Sequence, residues 1–471
     1  MDDALVVGSG PNGLAAAITL AQAGWRVRVL EAQITLGGGA RSGSLTLPGF
    51  VHDRCSAIHP LGIGSPFFRT LPLQRHGLTW VHPAAPLAHP LDNGRAVSLH
   101  RSVTKTAEGM GRDGPAYRSL MQPLVDQGEA LLNEFLRPLL HIPRHPLLAA
   151  RFGLLALRSA AGFAAQFFRD EEARALFAGL AAHSFLPLHA PASAAYALVL
   201  GMLAHSVGWP LPRGGAQNIS DALAAHLRAL GGSIETGHEV TALANLPAAD
   251  AVLLDLTTWQ TARLAGDQIP GRLRAKLAAF PHGPSVFKID YALDRPIPWT
   301  AAECAQAGTV HLGGTFEEIA LAEREVAAGL IPARPFVLVS QPTLFDPSRA
   351  PAGQHIGWAY CHIPRGGTAD LTEVIEAQIE RFAPGFRSTV LARATSRPLD
   401  LQAANANLDG GDITGGAGDL WHLIARPVLS PRPYRLGRTK YYLCSSSTPP
   451  GGGVHGMCGY HAARCAMRDQ T

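Results

Sequence analysis

Nowhere in this chain do two cysteines stand two residues apart. Its six cysteines, Cys55, Cys304, Cys361, Cys444, Cys458 and Cys465, lie scattered, which argues for free thiols in a reducing compartment rather than a disulfide framework or a zinc site. H-E-x-x-H, G-x-S-x-G and Walker A patterns are also absent, so zinc hydrolysis, elbow-type serine hydrolysis and P-loop chemistry lack the residues they need. His141 and His145 stand four apart, but Pro143 between them breaks the helix that would pair them, and no metal is expected. Charge is scarce. Only 16% of residues are charged, the net charge is +4, and the 7% aromatics have no basic interleaving, so no nucleic-acid partner is expected. No run of about eighteen apolar residues is free of charges or helix breakers, which predicts no membrane span. The first apolar strand starts at Ala4, leaving no room ahead of it for a leader, and a cytoplasmic location is the expectation. What the chain does have is length and apolar content: 471 residues, 47% hydrophobic, enough for a large core and two or three domains.

The most informative stretch is the first forty-odd residues. Ala4-Leu5-Val6-Val7 reads as a buried strand, and Gly8-Ser9-Gly10-Pro11-Asn12-Gly13 fits G-x-G-x-x-G. An alanine-rich helix then runs to Gly24, and Arg26-Val27-Arg28-Val29-Leu30 is a second strand closed by Glu31 and Ala32. Gly8 permits the sharp turn, Gly10 lets a pyrophosphate approach the backbone, and Gly13 lets helix pack on strand. The helix start aims free N–H groups at phosphate. Glu31, eighteen positions after Gly13, is placed to accept the hydroxyls of an adenosine ribose. A second glycine cluster, Gly37-Gly38-Gly39-Ala40-Arg41, follows at once and would bring more N–H groups and one arginine to the same dinucleotide.

Farther along, the Asn93-Gly94 pair marks a hairpin. Apolar residues at helical spacing over 105–140, a very apolar helix over 147–168 and another over 192–207 form a helical insertion. Arg151 and Arg158, seven apart, would share one face of the 147–168 helix. That helix is either buried against its own domain or rests on a membrane or tunnel mouth. A helix over 219–230, a strand at 233–235, Val240 and the strand 250–256 return to nucleotide-binding material. Strands at 281–299, 336–340 and 355–362 with a helix over 371–382 predict a second sheet. Residues 405–418 are too rich in glycine for regular structure and suit a loop that meets a ligand. The strand 440–444 enters a second glycine loop, 445–459, ahead of a helix over 460–467.

The Gly8–Gly13 motif with Glu31, Gly37 and Gly38 resembles the FAD-dependent superfamily of carotenoid desaturases and flavin amine oxidases. SSSTPPGGGVHGMCGYHAA, GWPLPRGGAQ, FKIDYALDRPIPW and NANLDGGDITGG look like segments of its phytoene-desaturase-like group. They are nearest in character to the pyridine-nucleotide-disulphide-oxidoreductase-domain-containing protein 2-like subgroup, and the resemblance spans 4–467. It implies FAD, bound without a covalent link. The residues to hold it are Gly8, Gly10, Pro11, Asn12, Gly13, Glu31, Ala32, Gly37, Gly38, Gly39, Ala40, Arg41, Val240, Gly453, Val454, His455, Gly456 and Met457. Lys288, one of very few lysines and set in an apolar strand, and His455, in the flavin loop, are the catalytic candidates. In related amine oxidases a lysine holds a water near the flavin, though in a different local motif. Disulfide chemistry is not expected despite the subgroup's name.

The expected fold is α/β: a Rossmann-like FAD-binding domain interleaved with an α+β substrate domain and a helical insertion. The FAD-binding segments are expected at 1–100, 208–268 and 435–471, the insertion at 101–207 and the substrate domain at 269–434. The expected chemistry is desaturation, saturation or isomerisation of C–C bonds in a hydrophobic, polyene- or lipid-like small molecule, with peripheral contact to a membrane. The competing readings are a flavin amine or amino-acid oxidase that releases hydrogen peroxide, and a scaffold without turnover. The sequence leaves the oligomeric state open.

Overall fold

The computed structural model describes residues 3–92 and 94–470. Five parallel strands form the first sheet, in the order Tyr441–Leu443, Ala251–Leu254, Asp3–Val7, Arg26–Glu31 and Ser233–Thr236. Three distant stretches of chain therefore build one sheet. Val6 sits between Leu253 and Val29 in its centre, and such strands, covered on both faces, read as continuous apolar runs. Helix Pro11–Gln22, with Leu14 to Ile18 wholly buried, lies against the C-terminal helix Met457–Gln470. That helix begins three residues earlier than expected, so Gly459 is inside it. A Cβ there would stand 1.8 Å from the Asn12 carbonyl oxygen, and glycine is what lets the two helices cross so closely.

The second sheet has seven strands, in the order Val390–Ser396, Ser285–Leu293, His355–Ile363, Val337–Ser340, Ala307–Leu312, Ala85–Pro90 and Ala96–Leu99. All neighbours are antiparallel except Ala307–Leu312 beside Ala85–Pro90. The hairpin 85–99 belongs here, so the stretch 1–100, expected as an FAD-binding segment, also supplies two strands to the second sheet. The Asn93 of its expected turn lies outside the described residues. Helix Thr372–Phe382 covers one face through Ile375, Ile379 and Phe382.

The insertion forms helices from Val103–Glu108 to Ser193–Ser206. The single helix expected over 147–168 is two, Pro146–Ala156 and Ala160–Phe167, bent by 95°. Ser159 makes the break, capping the second helix by accepting from the Gly162 N–H at 3.1 Å. Arg158 falls in that break, so it does not share a helix face with Arg151. It lies over the rings of Phe163 and Phe167 and donates to Gln166. Among the described residues no single helix is long and apolar enough to cross a membrane.

Candidate functional site

The two N-terminal glycine turns meet. Helix Pro11–Gln22 starts at Gly10 without a side-chain cap, so its first-turn N–H groups have few partners within the protein. Gly38, at φ +54°, would set a Cβ 3.0 Å from the Gly10 Cα. Glu31 closes the turn from below: its carboxylate accepts from the Ser9 N–H at 2.8 Å, the Ser9 hydroxyl at 2.6 Å and the Gln33 N–H at 2.9 Å. Arg41 is pinned by the carbonyls of Gly38 and Ala404 and by Thr35; burial lowers the pKa of its guanidinium, although a guanidinium stays charged.

These residues open into one cavity of about 960 Å³ that runs from the dinucleotide turn to the helical insertion. Of the expected cofactor residues, Gly8, Gly10, Pro11, Asn12, Glu31, Ala32, Gly38, Gly39, Ala40, Arg41, Val240, Gly453, Val454 and His455 line it. Gly13, Gly37, Gly456 and Met457 do not. Gly13 and Gly37 shape the turns: their N–H groups go to Asp255 and to the Ser9 hydroxyl. Gly456 packs on Phe68 and Ala15, and Met457 is in the core. The fully buried His455 accepts the Met457 N–H on Nδ1 at 3.0 Å, satisfying a donor at the start of the last helix. Burial lowers its pKa to about 4, so the ring is neutral near pH 7. Cys458 is buried, its thiol directed at the Thr448 and Gly451 carbonyls and not at the cavity.

Lys288 is neither exposed nor isolated. It lines the cavity from strand Ser285–Leu293, ion-pairs with Asp290 and lies 5.9 Å from the Trp358 ring centroid. Behind it lies a buried cluster of ionisable groups. His52 Nδ1 stands 3.7 Å from Asp290, and Asp53 pairs with the fully buried Arg349 at 2.8 Å. Burial raises Asp290 to about 6 despite Lys288, and burial lowers His52 to about 3. Trp358 and Tyr360, on the neighbouring strand, meet edge to face at 5.0 Å beside Lys288. Across from them Phe135, Leu136, Phe152, Ala156, Val199 and Leu200 of the insertion line the same cavity. Helix Pro146–Ala156 contributes to that wall; Ala160–Phe167 turns into the core.

Three cavity residues escaped the sequence reading: Asp255 read as part of an apolar strand, and Trp358 and Tyr360 as ordinary strand aromatics. Asn405 and Asn407, in the loop expected to meet a ligand, line the same cavity. An acid closing a run of Ala-Val-Leu-Leu was the available signal for Asp255; for the two aromatics the signal exists only in three dimensions.

The glycine cradle, the uncapped helix start and the carboxylate at the strand end fit a dinucleotide. The comparisons agree. The chain is 28% identical to pyridine nucleotide-disulfide oxidoreductase domain-containing protein 2 of Rattus norvegicus, over 99% of this chain and 93% of that one. It is 26% identical to phytoene dehydrogenase of Streptomyces griseus, over 96% and 92%. The fold is shared with the crystal structure of an oxidoreductase from Methanosarcina mazei at TM-score 0.67 and 18% identity, covering 99% and 100% of the two chains. Residues 12–354 match the model of the flavin containing amine oxidoreductases, and the chain belongs to that family of FAD-dependent oxidoreductases.

Proposed function

We propose that this oxidoreductase alters C–C bonds, by desaturation, saturation or isomerisation, in a hydrophobic, polyene- or lipid-like substrate. The observation that carries the reading is the wall opposite the cofactor turn. It is built from Phe, Leu, Val and Ala side chains, and the carboxylates near it are already engaged. Glu134 accepts from the Arg144 and His145 N–H groups and pairs with His141; Asp419 binds the Trp421 and His422 N–H groups and the His422 ring. An apolar substrate needs no counter-ion there, since burial alone contributes about 25 cal/mol per Å². A small ammonium would find no free carboxylate on that wall and would face Lys288.

FAD, when bound, supplies the hydride chemistry. The protein positions and screens. The apolar roof excludes water from the cavity, and Lys288, held by Asp290 on the wall, offers a charged N–H donor inside it. Trp358 and Tyr360 favour the second reading, amine oxidation, because an aromatic face lining the cavity attracts a substrate ammonium. Anaerobic mixing with isoprenoid hydrocarbons and with primary amines separates the two by which class perturbs the flavin spectrum.

The mouth suggests where such a substrate comes from. Ile142, Leu147, Leu154 and Leu157 stand exposed on the segment whose Pro143, Ala149, Phe152, Gly153 and Ala156 line the cavity, and no acid interrupts 135–169, which carries Arg137, Arg144, Arg151, Arg158 and Arg169. An apolar surface with only basic charges suits an anionic lipid surface.

A further inference from the structure

Asp255 follows the strand Ala251–Leu254, next to the central one, and is only 6% exposed. It lines the cavity, and its N–H donates to the Val7 carbonyl at 2.8 Å. The whole cofactor turn is built around it. Its Oδ2 accepts the Gly13 N–H at 3.0 Å, and a Cβ on Gly10 would land 2.5 Å from that same oxygen. A Cβ on Gly8 would come 2.9 Å from its carbonyl oxygen. The carboxyl thus occupies the side of the turn from which glycine normally clears the way for a pyrophosphate.

No lysine or arginine among the described residues pairs with Asp255. The groups that act on it are the Glu31 carboxylate, at the end of the strand beyond Asp3–Val7, and the backbone N–H groups of Gly10 and Gly13 at the helix start. The buried thiols of Cys444 and Cys458 lie near it, and Asn407 donates to its main-chain carbonyl at 2.7 Å. Burial and the like charge of Glu31 outweigh the two N–H groups and raise its pKa to about 7. A pyrophosphate brings two further negative charges to this spot, and an ionised, unpaired carboxylate beside it would be repelled at low dielectric.

We propose that Asp255 is a cofactor-binding residue in its neutral form, a carboxylic acid whose proton is the donor that lets FAD settle against the turn. The inference rests on the FAD assignment and adds a residue and a proton to it. Its consequence is linkage: above the pH at which the empty site loses that proton, binding FAD must take one up.

The test is the dissociation constant of FAD for the apoprotein, followed by flavin fluorescence from about pH 6 to about pH 9. Wild type is expected to bind with constant affinity near the acid end and about tenfold more weakly for each pH unit above about 7. Asp255→Asn keeps the shape and an acceptor for the Gly13 N–H, and is expected to bind FAD with no such dependence. Calorimetry on wild type in two buffers of different ionisation enthalpy, near pH 8.5, is expected to show about one proton taken up; it needs no variant, so a misfolded Asp255→Asn protein does not stop the test. Wild-type affinity that is flat with pH, or no proton uptake, overturns the role of Asp255 and leaves FAD binding standing. Absence of FAD binding at every pH, by wild type and variant alike, overturns both.

Discussion

Glu31 and Lys288 show how one side chain is fixed by what it must satisfy. Glu31 accepts three hydrogen bonds from Ser9 and Gln33, so it holds the turn as well as lining the cavity where a ribose would lie. Glu31→Ala removes a charged acceptor and is expected to weaken FAD binding by about 1–3 kcal/mol; an unchanged affinity in a fluorescence titration would remove it from the site. Lys288 and Asp290 are both buried and depend on one another. Asp290→Asn leaves Lys288 with an uncompensated buried charge and is expected to cost about 3–5 kcal/mol of stability. Changing both residues to apolar ones of similar size should recover most of that loss. A single variant as stable as wild type in urea would show that the pair is not coupled.

Elements answer to packing more than to local pattern. The strand–turn–helix–strand of the first thirty residues could be read in advance because glycine spacing, apolar runs and the acid at the strand end all point one way. The break at Ser159 could not, because Leu157 and Ala160 are both good helix formers and the bend is decided by the cap and by Phe163 turning into the core. The hairpin 85–99 was legible as a hairpin, but its sheet was not, since the partner strand Ala307–Leu312 lies more than two hundred residues away. The cavity wall was half legible: the apolar insertion announces itself, whereas Trp358 and Tyr360 face inward only through the register of the second sheet. Two glycines test this scale. Gly459→Ala would drive a methyl into the Asn12 carbonyl and is expected to cost at least about 1–3 kcal/mol and to weaken FAD retention. Gly153→Ala, in a helix with open space around it, should stabilise by about 0.5–1 kcal/mol. Melting temperatures that move the other way would contradict the packing described.

At the scale of the molecule, pH reports how much titratable chemistry is buried. Burial lowers His52 and His183 to about 3, and His59, His89, His205, His455 and His461 to about 4. The unfolded chain binds those protons from about pH 6.5 downward and the folded one does not, so each histidine costs stability as pH falls from 6.5 towards 4. Asp290 at about 6 and Asp255 at about 7 have the opposite sign: the folded state holds their protons, and stability falls as pH rises through that range. The histidines outnumber the two acids, so the apoprotein should melt at progressively lower temperature as pH drops from about 6.5 to about 4. A melting temperature that is flat or rising on acidification would contradict the burial of these rings. The mouth of the cavity makes a second prediction at this scale: binding to anionic vesicles that weakens with salt and is lost in Leu147→Asp/Leu154→Asp. Equal sedimentation of wild type and variant would count against a lipid-facing mouth.

The central claim is that FAD in this fold serves an apolar substrate, and the visible spectrum of the FAD-loaded protein tests it most directly. Under anaerobic conditions a linear isoprenoid hydrocarbon, delivered in detergent, is predicted to perturb or bleach the flavin band, while putrescine and benzylamine leave it unchanged. Bleaching by an amine, with hydrogen peroxide formed when air is admitted, and no response to any hydrocarbon, would contradict the account.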